Sequence, residues 1–129
     1  VVVDSQYEST ETTKSPDFAY CSAPDDRSLW GQDVLLKQLR QSPSVDNVAA
    51  NGRWIGMARS NTDGRKWLTD GLQHLSKLEN FDQLNMGDLL NHIVEQGKSV
   101  RVIYIHGHWI DVNSLTDLER ANAFTTRHR

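Results

Sequence analysis

Two histidines in the last quarter of the chain have a spacing that could bind a transition metal. His106 and His108 are separated by one glycine, and alternation along an extended strand would put both imidazoles on the same side. No third ligand is apparent in the surrounding sequence. A tight turn at Gly107 explains the pair better, with the rings satisfying backbone groups and His106 lining a substrate pocket.

Two carboxylates in the second half of the chain are candidates for binding a cation or a charged substrate. Asp111 follows a short apolar run that begins at Trp109 and precedes a helix start, which is where α/β folds bind ligands. Carboxylate oxygens are also the ligands that Mg²⁺ prefers. The alternative for Asp111 is a structural role in the turn before Ser114. Asp88 lies in the first turn of a predicted helix, where the helix dipole alone favours an acidic side chain.

The segment around residue 54 has residues that suit an anionic substrate. Trp54 is either a core aromatic at a hairpin or the wall of a binding pocket, and Gly56 would let a substrate approach the backbone closely. Arg53, Arg59 and Arg101 are candidate phosphate or phosphonate ligands, because a guanidinium contacts such oxyanions through two hydrogen bonds. Most arginines are simply solvated, so none of the three is assigned on its own.

Helices and strands must position these side chains, and the hydrophobic pattern predicts both in alternation. In chain order the predicted elements are strands over 1–3 and 18–21, a weak helix within 29–39, a hairpin turning at Asn51-Gly52, helices over 63–79 and 86–97, strands over 99–105 and 109–112, and a helix from Ser114 to about Phe124. This interleaving indicates an α/β sandwich in which helices flank a mixed sheet.

Local signals support several of these elements. Asn-Gly at positions 51 and 52 is a strong signal for a two-residue hairpin turn, because both residues tolerate positive φ. Asn61 or Thr62 could cap the first long helix, and Asn85 could cap the second. The run over 99–105 is almost continuously apolar, which predicts a strand in the interior of the sheet.

Composition restricts the class of protein. The 129 residues (14.7 kDa) correspond to one domain, and 37% hydrophobic with 24% charged residues is typical of a packed globular domain. A net charge of −3 argues against binding duplex nucleic acid by phosphate neutralisation. The single cysteine excludes an intrachain disulfide, and no apolar stretch approaches the ~20 residues that cross a bilayer. We therefore expect a cytoplasmic protein that binds neither nucleic acid nor membrane.

The two ends of the chain carry further expectations. The run Val1-Val2-Val3 is typical of a strand and has no initiator methionine before it, which indicates upstream sequence. One domain is predicted over residues 1–124, followed by a disordered tail over 125–129.

Three stretches of the chain resemble a known family. Residues 51–58 (Asn-Gly-Arg-Trp-Ile-Gly-Met-Ala), 86–90 (Met-Gly-Asp-Leu-Leu) and 100–113, which ends His-Gly-His-Trp-Ile-Asp-Val-Asn, resemble the cytidylyltransferase domain attached to phosphoenolpyruvate mutases in phosphonate biosynthesis. The C-terminal pattern is shared more widely by MobA-like nucleotidyltransferases. The resemblance covers residues 1–124 but only the second half of such a domain, because the glycine-rich phosphate loop and the first metal-binding aspartate of the family are not found.

The resemblance implies a partial Rossmann-like nucleotidyltransferase sandwich that uses Mg²⁺. Such an enzyme transfers a cytidylyl group from CTP to a phosphonate or phosphate acceptor and releases pyrophosphate. It implies that Asp111 is the second metal carboxylate and that Asp88 faces an amine-bearing acceptor. Trp54, Gly56 and His106 are then expected to contact the acceptor. Without the nucleotide-binding half, the 129 residues should be inactive alone.

Two alternatives to this function stay open. One is a nucleotidyltransferase for another acceptor, such as a sugar phosphate or phosphocholine. The other is a non-catalytic module that forms a homo-oligomer by strand exchange, since the absent half would leave strand edges open.

Overall fold

The computed structural model describes residues 1–7, 16–27, 33–110, 112 and 114–127. The strands are β1 (Val2–Asp4), β2 (Phe18–Cys21), β3 (Leu36–Arg40), β4 (Ser44–Val45), β5 (Val48–Ala49), β6 (Gly52–Trp54) and β7 (Ile103–Ile105). The helices are α1 (Thr62–Leu75), α2 (Met86–Glu95) and α3 (Leu115–Arg127), with a 3-10 turn at Phe81–Gln83. No helix in these described ranges is long and apolar enough to cross a membrane.

The strands form one mixed sheet and one small hairpin. Within the described part of the chain, the main sheet has five strands in the order β3-β2-β6-β1-β7. β1 and β7 run parallel, in a register that puts Asp4 opposite Ile105, and the other neighbours in the sheet are antiparallel. The prediction of an α/β fold with a mixed sheet is confirmed.

The two ends of the main sheet are joined by main-chain hydrogen bonds. Residues 34–36 lie antiparallel to residues 100–102, where the N–H of Leu36 donates to the Val100 carbonyl and the N–H of Val102 donates to the Val34 carbonyl, both at 2.8 Å. Hydrogen bonds at this point satisfy backbone groups that an open sheet edge would expose. The outer edge of β3 is therefore paired at Leu36, and its partners are the residues that precede β7.

The apolar run over 99–105 does not form an interior strand, so that prediction was wrong. Only Ile103–Ile105 is a strand, at the end of the sheet, and Ile103 is 64% exposed. The segment is apolar for another reason. Val102 is buried in the core, and Val100 packs against that core. The weak helix predicted within 29–39 is also wrong where it is described, since Leu36 begins β3.

The main core lies where the sheet meets α2. Its buried side chains come from five strands or adjoining segments and from α2, and they include Val3, Ala19, Leu39, Trp54 and Leu90. Helix α2 packs on β3, and α1 packs on α2. The contact between α2 and β3 is held by Asn91, whose side-chain oxygen accepts from the Leu39 N–H at 2.7 Å while its amide donates to the Leu39 carbonyl at 2.9 Å.

Both predicted N-caps are confirmed. The Asn61 side chain accepts from the Gly64 N–H at 2.8 Å and begins α1. Asn85 caps α2 through the Gly87 and Asp88 amides, and Asp88 accepts in return from the Asn85 N–H at 2.8 Å, which completes a capping box. Gly97 follows α2 with φ +75°, as expected for a helix C-terminus.

The hairpin turns at a different place from the one predicted. Strands β4 and β5 are joined through Asp46 and Asn47, which have φ of +50° and +62°. Asn51 instead joins the sheet, because its backbone N–H donates to the Ala19 carbonyl and its side chain accepts from the Cys21 N–H. Aspartate and asparagine also tolerate positive φ, so both Asp46-Asn47 and Asn51-Gly52 were possible turns.

The C-terminal region differs from the prediction in two respects. Trp109, Ile110 and Val112 are not in a strand, and Asp111 lies outside the described residues. Helix α3 extends to Arg127, beyond the end predicted near Phe124. Ser114 precedes its first turn, and the Ser114 hydroxyl donates to Asp117 Oδ2 at 2.8 Å and accepts from the Asp117 N–H at 3.2 Å.

Candidate functional site

A buried carboxylate organises the edge of the sheet where the parallel strands β1 and β7 end. Asp4 is 3% exposed, and its Oδ1 accepts from the N–H groups of Gln6 at 2.9 Å and Gly107 at 2.8 Å. Its Oδ2 accepts from Trp109 Nε1 at 2.7 Å. Hydrogen bonds to a charged acceptor are stronger than neutral ones, so Asp4 fixes the turn at 106–109 against the end of β1.

His106 follows β7 at the same edge and contacts a second carboxylate. Its Nε2 lies 2.9 Å from Asp25 Oδ2, and the Ser5 hydroxyl donates to the same oxygen at 2.6 Å. Burial by itself raises the pKa of the Asp25 carboxyl. The hydrogen bonds from Ser5 and from the Arg27 N–H, together with the charges of His106 and Arg27, outweigh burial and lower that pKa below its usual value. Asp25 is therefore held as a carboxylate close to His106.

Arg53 connects this edge to an acidic cleft. Its guanidinium lies over the Trp109 ring, with Cζ 5.1 Å from the ring centroid, which is a cation–π contact. Arg53 also sits opposite Asp4 in the β1–β6 ladder. Its charge also acts on the Asp17 carboxyl, which lines that cleft.

The acidic cleft has a volume of about 320 Å³ and lies between the start of β2 and the start of α2. Asp17, Arg40, Asp88 and Asn91 are among the side chains that line it. Burial raises the pKa of the Asp17 carboxyl, the neighbouring Asp88 carboxylate raises it further, and Arg53 lowers it in part. Two carboxylates that repel each other beside a cleft are suited to a cationic group such as an ammonium.

Trp54 and Gly56 lie away from the edge that holds His106. Trp54 is 8% exposed within the core, and its Nε1 donates to the Met57 carbonyl at 3.0 Å. The loop that contains Gly56 bonds to the start of β1, because the Val2 N–H donates to the Met57 carbonyl. Gly56 has φ +79° and open space where a side chain would be, so its backbone conformation explains the glycine.

The predicted site residues thus fall into separate groups. Asp88 lies in the acidic cleft, His106 lies at the carboxyl ends of β1 and β7, and Trp54 with Gly56 lies toward the amino end of β1. Arg53 and Trp109 connect the first two groups. The substrate-binding roles of Trp54, Gly56, Asp88 and His106 stay predictions.

The other two candidate arginines differ in their surroundings. Arg101 forms an ion pair with Asp33, and both side chains are largely exposed. Arg59 is exposed in the segment before α1. Neither arginine is part of the groups around Asp4 or Asp88 among the contacts described.

The donor chemistry at the sheet edge gives limited support for a metal. Asp4 already accepts three hydrogen bonds, and Asp25 accepts from Ser5 and Arg27 and contacts His106. A carboxylate has about four acceptor positions, so little remains for a cation. In the ranges that the structure describes, no three His, Cys, Asp or Glu side chains are grouped so as to hold a metal ion. A Mg²⁺ site would depend on Asp111 and on ligands outside these ranges.

Comparisons with protein-family models, curated proteins and solved structures gave no match. The resemblance to a nucleotidyltransferase therefore stays a prediction from the residues alone.

Sequence reasoning missed Asp25, Ser5 and Asp17 and did not give Asp4 a role. Asp4 had a signal that could have been used, since it ends a run of β-branched residues where a parallel strand ends. Asp25 and Ser5 had none, because their partner His106 is distant in the chain.

Proposed function

We propose that this chain is the acceptor-side portion of a Mg²⁺-dependent, Rossmann-like nucleotidyltransferase of the MobA-like type. The reaction is the attack of a phosphonate oxygen on the α-phosphorus of CTP. The bond from that phosphorus to the bridging oxygen breaks, and pyrophosphate leaves with its electron pair. The product is a cytidylyl-phosphonate.

The hydrogen bonds of Asp4 are the observation that carries this proposal. Asp4 ties Gly107 and Trp109 to the end of β1, so the segment leading to Asp111 starts at the edge where two parallel strands end. Open α/β sheets bind their ligands at that edge. Arg53 stacks on the same Trp109 and offers a guanidinium to an oxyanion.

The acidic cleft supports an acceptor that carries an amine. Asp17 and Asp88 line that cleft and would hold the ammonium. Arg53, whose charge acts on Asp17, would contact the anionic end of the same molecule. When bound, Mg²⁺ would offset the repulsion between the anionic acceptor and the triphosphate. Asp111 is the residue of this chain that we propose as its ligand.

The test is pyrophosphate release from CTP by the entire protein, with an aminoalkylphosphonate as acceptor. Asp111→Ala should nearly abolish turnover. Asp82→Ala is the matched control, because Asp82 is an exposed aspartate in the 3-10 turn. Turnover that survives Asp111→Ala would contradict the metal role, and equal loss in both variants would point to a general defect.

Two further assays distinguish this proposal from related ones. The 129 residues alone should release no pyrophosphate from CTP, because they lack a glycine-rich phosphate loop. Detectable transfer by the purified chain would contradict the proposed division of the active site. A screen of acceptors that includes sugar phosphates and phosphocholine would show whether the acceptor class differs.

A second candidate function is non-catalytic self-association into a homo-oligomer. It is favoured by the apolar side chains that α3 exposes, since Leu115 is 83% exposed and Leu118 is 51% exposed. Strand exchange through open edges has less support, because residues 34–36 and 100–102 already pair. Sedimentation of the chain would test this candidate, and a strict monomer at high concentration would contradict it.

A further inference from the structure

At β1 and β7, the face of the sheet that points away from the main core has an uncovered apolar part. Successive side chains of a strand point to opposite faces, and Val3 on β1 and Tyr104 on β7 pack on the core side. Val2 and Ile103 therefore point the other way, and the parallel register puts them directly opposite each other. Ile103 is exposed and Val2 is half-buried. This pair, with the exposed Met57 whose carbonyl accepts from the Val2 N–H, is called the open face.

The other part of this face is covered by the chain itself. Asp4, two residues after Val2, has the same orientation and is buried under the turn at 106–109, which bonds to it through Gly107 and Trp109. The segment after this turn therefore leaves the sheet beside β1, close to the open face. It does not cover Ile103, which is largely exposed.

The segment 110–127, which we call the C-terminal arm, carries apolar side chains that the described part of its own chain leaves uncovered. Four of them are exposed: Ile110, Val112, Leu115 and Leu118. Within the described ranges, no other helix or strand packs extensively on α3. Leu115 and Leu118 are three residues apart and lie on one side of this helix. The arm thus presents an apolar side to the surroundings.

We propose that α3 of one copy of this chain packs on the open face of a second copy, and that the second copy makes the same contact in return. This inference rests on the self-association given above as the second candidate function, and it names the two surfaces that meet. Both surfaces belong to every copy, so a dimer with a two-fold axis covers all four of them at once. A different partner protein would have to match two separate surfaces.

The dimensions of the two surfaces agree. Helix α3 has 13 residues and is about 20 Å long, and the neighbouring strands β6, β1 and β7 extend over about 10 Å of the sheet. A helix of about 10 Å diameter covers roughly 200 Å² of such a face, so the four surfaces of the dimer together lose roughly 800 Å². Stable specific interfaces bury about 1,200–2,000 Å² in total. We therefore expect a weak dimer that dissociates in the micromolar range.

The charged residues beside the two surfaces have opposite signs. Arg101 lies two residues before Ile103 in the same extended segment, and its side chain is exposed even in its ion pair with Asp33. On α3, Glu119 is exposed and follows Leu118. Glu119 of one copy can approach Arg101 of the other at the edge of the contact. Such rim charges affect orientation and association rate more than affinity.

Sedimentation equilibrium of the 129-residue chain, up to several hundred micromolar, tests the proposal. The unmodified chain should show a monomer–dimer equilibrium. Ile103→Lys and Leu118→Glu should each raise the dissociation constant roughly tenfold or more, because each puts a charge into an apolar contact at both symmetric positions. Both residues are exposed, so the far-ultraviolet circular dichroism of each variant should stay that of the folded protein.

Val48→Lys is the matched control. Val48 is as exposed as Ile103 but lies on β5, in the small hairpin outside both surfaces. Its substitution should leave the dissociation constant unchanged. An effect as large as that of Ile103→Lys would overturn the assignment of the open face.

Mixing the two variants tests direct contact between the surfaces. In a dimer of one Ile103→Lys copy with one Leu118→Glu copy, one contact keeps both native residues and the other brings the introduced opposite charges together. The mixture should therefore associate more tightly than either variant alone, and no recovery on mixing would overturn the contact. A dimer that neither variant weakens would overturn these surfaces and leave self-association standing. A strict monomer of the unmodified chain would overturn both.

Discussion

The carboxylate of Asp4 accepts a hydrogen bond from Trp109 Nε1 at 2.7 Å, between residues that are 105 positions apart in the chain. Through this bond and the one from Gly107, β1 holds the turn that follows β7. A buried carboxylate that lost these donors would remain desolvated without compensation. The contact is therefore a structural requirement for the sheet edge as well as for the proposed site.

Substituting Asp4 or Trp109 should destabilise the protein, and the two substitutions should do so by different amounts. Asp4→Asn should lower the free energy of unfolding by about 1–3 kcal/mol, because the amide cannot accept all three hydrogen bonds. Trp109→Phe removes only the indole N–H and should cost less, about 1 kcal/mol. Urea denaturation measures both. Asp82→Asn, on an exposed turn, is the control, and an effect of Asp4→Asn no larger than that control would contradict the role of Asp4.

Gly52 is required by the close approach of two strands. A Cβ atom at this position would lie 2.4 Å from the Asp4 carbonyl oxygen and 2.6 Å from Val3 Cγ1. Gly52→Ala should therefore destabilise the protein by about 1–3 kcal/mol or more, because backbone atoms of β1 cannot move aside locally. The measurement is the free energy of unfolding in urea.

Gly56→Ala is the matched control for Gly52→Ala. Gly56 has open space around it, and its only cost is a positive φ of +79°, worth about 1–2 kcal/mol for an alanine. If Gly56→Ala is clearly the more damaging of the two, the close approach of β1 and β6 is not the reason for Gly52.

The features that sequence predicted well are local ones. Asn61 and Asn85 cap their helices as expected, because a cap needs only a side chain and amides two or three residues away. Gly52 shows the opposite case. The Asn51-Gly52 sequence resembled a turn. The glycine is instead needed because β1, almost fifty residues earlier, lies against it. No local pattern distinguishes these two uses.

The same distinction explains what was missed at the candidate site. The turn at Gly107 was predicted from His106 and His108, since the glycine breaks an apolar run. Asp4 reaches that turn because β1 and β7 lie side by side as parallel strands, and Asp25 reaches it from the segment after β2. Hydrophobic periodicity identifies strands but not their neighbours, so these partners could not be assigned from the sequence.

The stability of the sheet edge should depend on pH through Asp25. The pKa of Asp25 is lowered in the folded protein, although burial opposes this, by hydrogen bonds from Ser5 and Arg27 and by nearby positive charge. A lowered carboxyl pKa contributes stability that is present above the unfolded value, near 3.9, and is lost as pH falls through the folded pKa. At neutral pH the wild type should have a higher free energy of unfolding than Asp25→Asn. The two values should converge in acid.

Asp17 should show the opposite sign. Burial first, and then the Asp88 carboxylate, raise the pKa of Asp17 in the folded protein, so its charged form is disfavoured by folding. Asp17→Asn should leave the free energy of unfolding unchanged or raise it by less than about 1 kcal/mol at neutral pH, given the solvent screening of a half-buried group. That gain should vanish in acid. Lower stability of Asp17→Asn at neutral pH would contradict the assignment.

Asp88→Asn separates the charge of this residue from its cap. An asparagine at position 88 can still accept from the Asn85 N–H, so α2 should keep its N-terminus and the unfolding free energy should change by less than about 1 kcal/mol. If the proposed activity is right and Asp17 and Asp88 hold an ammonium, the entire protein carrying this variant should show a KM for an aminoalkylphosphonate raised roughly tenfold, which corresponds to about 1.4 kcal/mol. The KM for an alkylphosphonate without an amine should change little, and Asp82→Asn should change neither. An equal rise in KM for both acceptors would mean that the substitution disturbs α2 and does not remove a contact with the amine.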